Sequence, residues 1–382
     1  MNIRIYPNKR QRRRMETYLR IGCLIYNHYL EKKINTYKET KQSISRFDQT
    51  SDLTQWRKKE NDIRDIPAKV ERDAINRLDN AFKRFFCNLK DKKAKPGFPR
   101  FKSARRWHSF SISQPYKCVQ NGRISILRID GLIRCRNLRS VQGTIKVQRI
   151  VLKAGKWYCH LIIEDGIQEP EKRPIKKAVG IDVGLTHFAT LSDGSSIENP
   201  RFLQKISKEL RREHRRVVRR KKGSKRRFKA VLRLQKSHEK LLNHRVNFTH
   251  HLSKKLISEY DFIAIEDLDI PKIMKGRLAK HIMDAGWGRL RWQLTYKAER
   301  AGCTVVAVDP KGTSQECSQC GQTVSKDLSE RIHKCPYCGL VLGRDENAAR
   351  NILRRAIIQT APRAGRAMRK ARRALIRPAS AG

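Results

Sequence analysis

Acidic residues are scarce in this chain: 36 Asp and Glu stand against 87 Lys and Arg, and the formal net charge over 382 residues is +51. A polypeptide so charged repels itself unless a polyanion neutralises it, so nucleic acid is the expected partner. Long apolar stretches are missing as well. No run of about 18 apolar residues exists to be read as a membrane span, and Met1 to Pro7 lacks the apolar core of a secretory signal. Ile3, Ile5 and Tyr6 before Pro7 read as a strand entering a turn, against the amphipathic helix of a mitochondrial presequence. The expected location is cytoplasmic and nucleoid-associated, with no membrane partner. No tyrosine sits in a His-x-His setting, which removes the nucleophile that a strand-joining transposase would need.

A disulfide framework is absent too. Six of the ten cysteines (Cys23, Cys87, Cys118, Cys135, Cys159, Cys303) are scattered singly through apolar or mixed segments and read as reduced core thiols. The other four form two Cys-x-x-Cys pairs, Cys317 with Cys320 and Cys335 with Cys338, separated by 14 residues. That is just under the spacer of about 15 to 20 usual for zinc ribbons. Gly321 and Gly339 follow the pairs and allow the tight turns that aim backbone amides at thiolates. Four thiolates leave no position for catalytic water, so one structural zinc is expected.

Helical periodicity runs from Lys9 to about Leu89. Ile75, Leu78, Ala81, Phe82, Phe85 and Phe86 mark one amphipathic helix; its polar positions Lys69, Arg72 and Arg77 are candidate phosphate contacts, with a solvated surface as the alternative. Pro96, Gly97 and Pro99 end this region. Short alternating runs from Ser109 to about Glu164 predict a small antiparallel barrel or sandwich, and Asp165 to Lys177 a linker. Residues 178–183 and 188–192 predict a hairpin. The densest basic run lies between Lys205 and Lys240, divided by Gly223 and Ser224 into two helices. Arg215, Arg219 and Arg220 there are further candidate nucleic-acid contacts. The tail past about Ile358 is expected to be disordered when unbound.

Three acids stand out. Asp182 in Ala178-Val179-Gly180-Ile181-Asp182 and Glu266 in Phe262-Ile263-Ala264-Ile265-Glu266 each end an apolar run short enough to be a buried strand. Asp345 opens the helix after the cysteine knuckle. Singly they read as a turn former, a solvent contact and an N-cap. Jointly they suggest a divalent-metal phosphodiesterase. Two magnesium ions about 4 Å apart need oxygen ligands, one of them bridging, and Asp182 takes that role while Glu266 and Asp345 each complete one shell. Asp267 could substitute or merely cap. Hairpin, third short strand, helix, strand, helix, strand, helix is the order of an RNase H-like fold.

Gly180-Ile181-Asp182-Val183-Gly184, Ile265-Glu266-Asp267-Leu268, Thr313-Ser314-Gln315-x-Cys317-Ser318-x-Cys320-Gly321 and Arg344-Asp345-x-Asn347-Ala348-Ala349 resemble the transposon-encoded OrfB/TnpB family. Ala81-Phe82-Lys83-Arg84-Phe85-Phe86 and Gly97-Phe98-Pro99-Arg100-Phe101-Lys102 are similar to its N-terminal half, so the resemblance covers nearly the whole chain. It implies an RNA-guided DNA endonuclease related to the compact type V CRISPR effectors. The partners would be a guide RNA from the transposon end and double-stranded target DNA beside a short adjacent motif, with one protein per RNA. The implied fold class is α+β and multidomain. Strand 1–8 and residues 104–170 would form a wedge barrel, 9–103 a helical recognition domain, and 171–313 with 344–360 a RuvC-like nuclease domain. The zinc ribbon would occupy 314–343 and the basic tail 361–382. A nuclease-inactive RNA-guided repressor and a transposase accessory DNA-binding protein are the alternatives. A repressor is expected to have lost an acid; all three are present.

Overall fold

Local signals in the first eleven residues already set the path of the chain in the computed structural model, which describes residues 1–91, 96–136, 138, 141–327 and 330–360. The tail 361–382, expected to be disordered, lies outside the described residues. Strand β1 (Asn2–Tyr6) ends at Pro7, and Asn8 and Gln11 exchange backbone and side-chain hydrogen bonds of 2.8 and 3.0 Å to start helix α1 (Lys9–Thr40). That reciprocal cap satisfies two helix-start amides. Then follow α2 (Arg46–Lys59), the single turn α3 (Asn61–Arg64) and α4 (Ala68–Lys90). The stripe Val70, Ala74, Ile75, Leu78 and Phe82 of α4 is buried in one core with Tyr18, Ile25 and Tyr29 of α1, as its three-four spacing requires.

Six more strands complete this unit, Met1–Ile167: β2 (Ser109–Ser113), β3 (Val119–Gln120), β4 (Arg123–Ile126), β5 (Ile129–Cys135), β6 (Thr144–Lys153) and β7 (Lys156–Glu164). With β1 they form an antiparallel sheet in the order β2-β6-β7-β1-β5-β4-β3. The sheet curls. Gln148 on β6, second in that order, donates a 2.7 Å hydrogen bond to the Ser125 carbonyl on β4, sixth in the order. Helices and sheet share the core, with Tyr18 edge-on to Phe110 at 5.3 Å.

The second unit, Gln168–Gly382, opens with a meander of β8 (Ala178–Val183), β9 (His187–Leu191) and β10 (Ser196–Glu198). Helices α5 (Phe202–Val218) and α6 (Lys225–Glu259) pack together, with Ser224 capping α6 through the Arg227 amide. Next come β11 (Phe262–Glu266), α7 (Ile270–Ile273), α8 (Ala279–Ala285), α9 (Trp287–Ala301) and β12 (Thr304–Val308). A small hairpin, β13 (Ile332–Lys334) and β14 (Val341–Gly343), runs directly into α10 (Arg344–Thr360). The five-stranded sheet has the order β10-β9-β8-β11-β12; β8, β11 and β12 are parallel and the meander antiparallel.

Every residue of β11 is buried, as a central parallel strand covered on both faces requires. Val179, Ile181, Ile263 and Ile265 pack with Leu252 and Leu256 of α6 and Leu290 and Leu294 of α9; each such leucine contributes about 1.5–3 kcal/mol by burial. Phe262 and Ala264 pack on the other face with Ile352, Ala356 and Ile357 of α10. Among the described residues no helix is long and apolar enough to cross a membrane.

Candidate active site

Strand periodicity decides which acids share a face. In β8 the odd residues 179, 181 and 183 enter the α6/α9 core, so Gly180 and Asp182 face the α10 side. In β11 the alternation puts Phe262, Ala264 and Glu266 on that same side. The parallel register pairs Ile181 with Ile265, and its next step sets Glu266 level with Asp182. Helix α10 lies over this face and carries Asp345 in its first turn, where the helix dipole favours an anion.

The approach of α10 depends on Gly180. A Cβ there would lie 2.0 Å from the Ala349 carbonyl oxygen and 2.9 Å from the Leu353 side chain, inside any real contact distance. Gly180→Ala is therefore expected to lift α10 from β8 and to destabilise the protein by about 3 kcal/mol, at the upper end of overpacking costs. Urea unfolding measures this. Gly184→Ala, with its nearest atom 3.0 Å away, serves as the milder comparison.

Burial first, then the like charges of Glu266 and Asp345, hold the Asp182 carboxyl well above the usual carboxylate range, with Arg344 pulling the other way. Burial also raises Glu266, against the Thr313 hydroxyl and Arg355. Asp345 Oδ1 accepts from Arg344 Nε at 3.1 Å. Asp267 goes elsewhere: its exposed carboxylate pairs with Arg291.

Thr313 and Asn347, read from the sequence only as motif members, and Asn351, not singled out there, anchor the segment beside Glu266. Thr313 is buried and its hydroxyl donates to Glu266 Oε1 at 2.8 Å. Asn351 Nδ2 donates to the carbonyls of Thr313 (2.9 Å) and Glu316 (2.6 Å). Asn347 donates to Glu316 O at 2.8 Å and accepts from the Ser318 amide at 2.9 Å. Both asparagines are fully buried. Asparagine is disfavoured inside helices, so a pair spaced by four among alanines was the available signal. One turn later Glu316 pairs with Arg354 and, at 2.9 Å, with Arg355.

That clamped segment leads into the cysteine knuckle. The four Sγ atoms lie within 4.8 Å of one another, with Cys317 to Cys338 at 3.7 Å and Cys320 to Cys335 at 3.6 Å. A tetrahedron of bonds of about 2.3 Å gives sulfur separations near 3.7–3.8 Å, so the set fits zinc. The two halves repeat one design: Gly321 N bonds Cys317 O at 2.9 Å and Gly339 N bonds Cys335 O at 3.0 Å, both glycines having positive φ.

The candidate cations fall into two groups. Arg72, Arg215, Arg219 and Arg220 are exposed. Lys69 donates to Gln114 O at 2.8 Å. Arg77 is tied to Asp73 at 2.8 Å, to Ser109 Oγ at 3.2 Å and over the Trp107 ring at 4.9 Å, so it braces α4 against β2.

Three family models match the chain. The OrfB model, described as "Probable transposase", matches residues 158–277; a Cas12f1-like TNB domain model matches 287–352; and a model described as "Helix-turn-helix domain" matches 1–42. The last of these spans β1 and the single helix α1. A Streptomyces pristinaespiralis protein named "Putative RNA-guided DNA endonuclease" is 32% identical over 366 residues, covering 92% of this chain and 87% of its own. This chain belongs to the OrfB/TnpB family. Within it, the Escherichia coli K12 relative InsQ, named in the same way, is 32% identical over 78% of this chain and 76% of its own. The endodeoxyribonuclease Cas12f1 of Sulfoacidibacillus thermotolerans is 27% identical over 52% and 50%. A cryo-EM structure of a Cas12f1–sgRNA–target DNA complex shares the fold at a TM-score of 0.55 and 14% identity, covering 88% of this chain and 81% of that one. The first OrfB/TnpB segment contains Asp182 and Glu266, and the TNB segment contains the four cysteines and Asp345.

Proposed function

We propose that this protein is a transposon-encoded, RNA-guided DNA endonuclease that hydrolyses target phosphodiester bonds with two magnesium ions held by Asp182, Glu266 and Asp345. The observation that supports the reading is strand parity, which turns Asp182 and Glu266 to the sheet face that α10 covers with Asp345 in its first turn; burial, and then the like charges of the other two, raise the Asp182 carboxyl. A divalent cation fits such a donor set because it removes the repulsion. Relatives named as RNA-guided DNA endonucleases support the same activity.

The second unit is assigned as an RNase H-like, RuvC-type domain (171–313 and 344–360) with a zinc ribbon (314–343). Its antiparallel meander continued by parallel strands supports this. In the first unit, residues 9–103 are assigned to recognition, and 1–8 with 104–170 to a wedge barrel, supported by the curl from β6 to β4.

Magnesium, when bound, supplies Lewis-acid stabilisation of charge on the scissile phosphate and on the departing oxygen. The chain's own residues do the positioning. Asp182, near the end of β8, would be the acid shared by the two ions. Glu266 is oriented by Thr313 through one oxygen, and Asp345 is steered by Arg344. Guide pairing reads the target while exposed arginines such as Arg72, Arg215, Arg219 and Arg220 hold the backbone without regard to sequence.

The test is to sequence the RNA that copurifies with the protein and to present DNA matching its guide segment. Magnesium-dependent cutting of matched DNA, and none of scrambled DNA, is expected. A preparation free of nucleic acid, or cutting that ignores the guide, overturns the reading.

A further inference from the structure

Helix α2 brings Thr54, Arg57 and Lys58 to one face, at spacings of three and four. That face, Arg64 at the end of α3 and Arg128 in the turn between β4 and β5 line an open cavity of about 520 Å³. The volume lies in the range of about 300–1,000 Å³ typical of small-ligand sites. The lining does not, since four of its five residues are cations.

The cavity is built. Arg128 has φ +57°, a backbone conformation that favours glycine, and its turn is held by the buried Tyr18, whose hydroxyl lies 3.0 and 3.1 Å from the carbonyls of Leu127 and Arg128. In return the Arg128 guanidinium donates to Arg64 O at 3.0 Å and Ile66 O at 3.4 Å. Arg57 Nε is anchored 3.5 Å from the buried Glu71 carboxyl, which burial pushes up to about 7. Among the described residues neither Lys58 nor Arg64 has a carboxylate partner. Four cations therefore share a concave surface, with Glu71, in range of Arg57 and Arg128, and Asp65, held by Arg14, as the acids beside it.

We propose that this cavity binds a backbone phosphate of nucleic acid, with Arg57 and Arg128 as the fixed forks and Lys58 and Arg64 as the charges that close on it. Forked guanidiniums match phosphate oxygens, and an ammonium adds a point charge. The inference rests on the proposed function, which makes nucleic acid the partner; guide RNA and target duplex share the chemistry.

The experiment uses the full chain, with labelled RNA and labelled duplex DNA, each about 30 residues long, titrated across salt to obtain the slope of log K against log salt. Lys58→Ala/Arg64→Ala is expected to reduce the slope by about 1.4 on RNA or about 1.8 on DNA, two phosphate contacts' worth, and the arm that responds names the source. Arg64→Lys is expected to keep the slope, and Lys59→Ala, a neighbouring cation outside the cavity lining, to leave both arms unchanged. Melting temperature controls for folding. If the wild type binds and the double variant keeps both slopes, or if Lys59→Ala lowers a slope by as much per charge, the cavity proposal falls. Should the wild type bind neither probe, the functional reading falls with it.

Discussion

Asp182→Asn is expected to abolish target cleavage, lowering the rate by about three orders of magnitude or more, while RNA and DNA binding persist. A metal site contributes several kcal/mol of transition-state stabilisation, and each 1.4 kcal/mol is about tenfold in rate. The same substitution carries a second, opposite signature. Because the native carboxyl titrates above its unfolded value, the stability it contributes is complete below the unfolded pKa and is lost as pH rises through the native one. Metal-free wild type should therefore lose stability with rising pH, and the asparagine variant should lose less and melt higher at neutral pH. Cleavage assays with magnesium, and melting curves taken across pH without it, check both. Undiminished cutting by the variant would remove Asp182 from the mechanism.

Stripping zinc is expected to silence the nuclease at least about a hundredfold while leaving RNA binding intact, since structural zinc sites supply about 10–16 kcal/mol of apparent binding energy that the fold otherwise lacks. The route is visible in the chain. Thr313, which orients Glu266, and Asn347 and Asn351, which clamp the segment to α10, all meet within five residues of Cys317 or on the helix that β14 feeds. Cys317 is fully buried, so its release opens the clamp and frees Asp345 at once. Cys335→Ser/Cys338→Ser should reproduce the loss. The measurements are zinc released per chain, cutting rate in excess magnesium, and hydrogen exchange over 313–345. Full zinc release with unchanged cutting would uncouple the two sites.

Much of the fold was legible because its strands carry the right periodicity. Ala178 to Val183 and Phe262 to Glu266 are apolar runs of strand length, and parity along them sends Asp182 and Glu266 to one face. The paired cysteines were legible from spacing. What periodicity cannot carry is a contact between distant segments. Nothing local says that Thr313 reaches Glu266, or that Gly180 exists so that Ala349 can pass 2.0 Å from where a methyl would be. The same holds for cations: Arg77 and Arg72 are both polar positions on α4, yet one braces β2 and the other is exposed. The cavity at Arg57, Lys58, Arg64 and Arg128 draws on residues over 70 positions apart and was invisible for that reason.

Helix α10, one of the last parts of the nuclease unit to be synthesised, packs on β8, one of the first, and brings Asp345 with it. A ribosome stalled anywhere in the knuckle therefore releases a protein that keeps most of its cationic surface but has an uncovered sheet and two acids in place of three. Such fragments leave Phe262 and Ala264 without the helix that buries them, so this layer of the core closes only when the last described helix arrives.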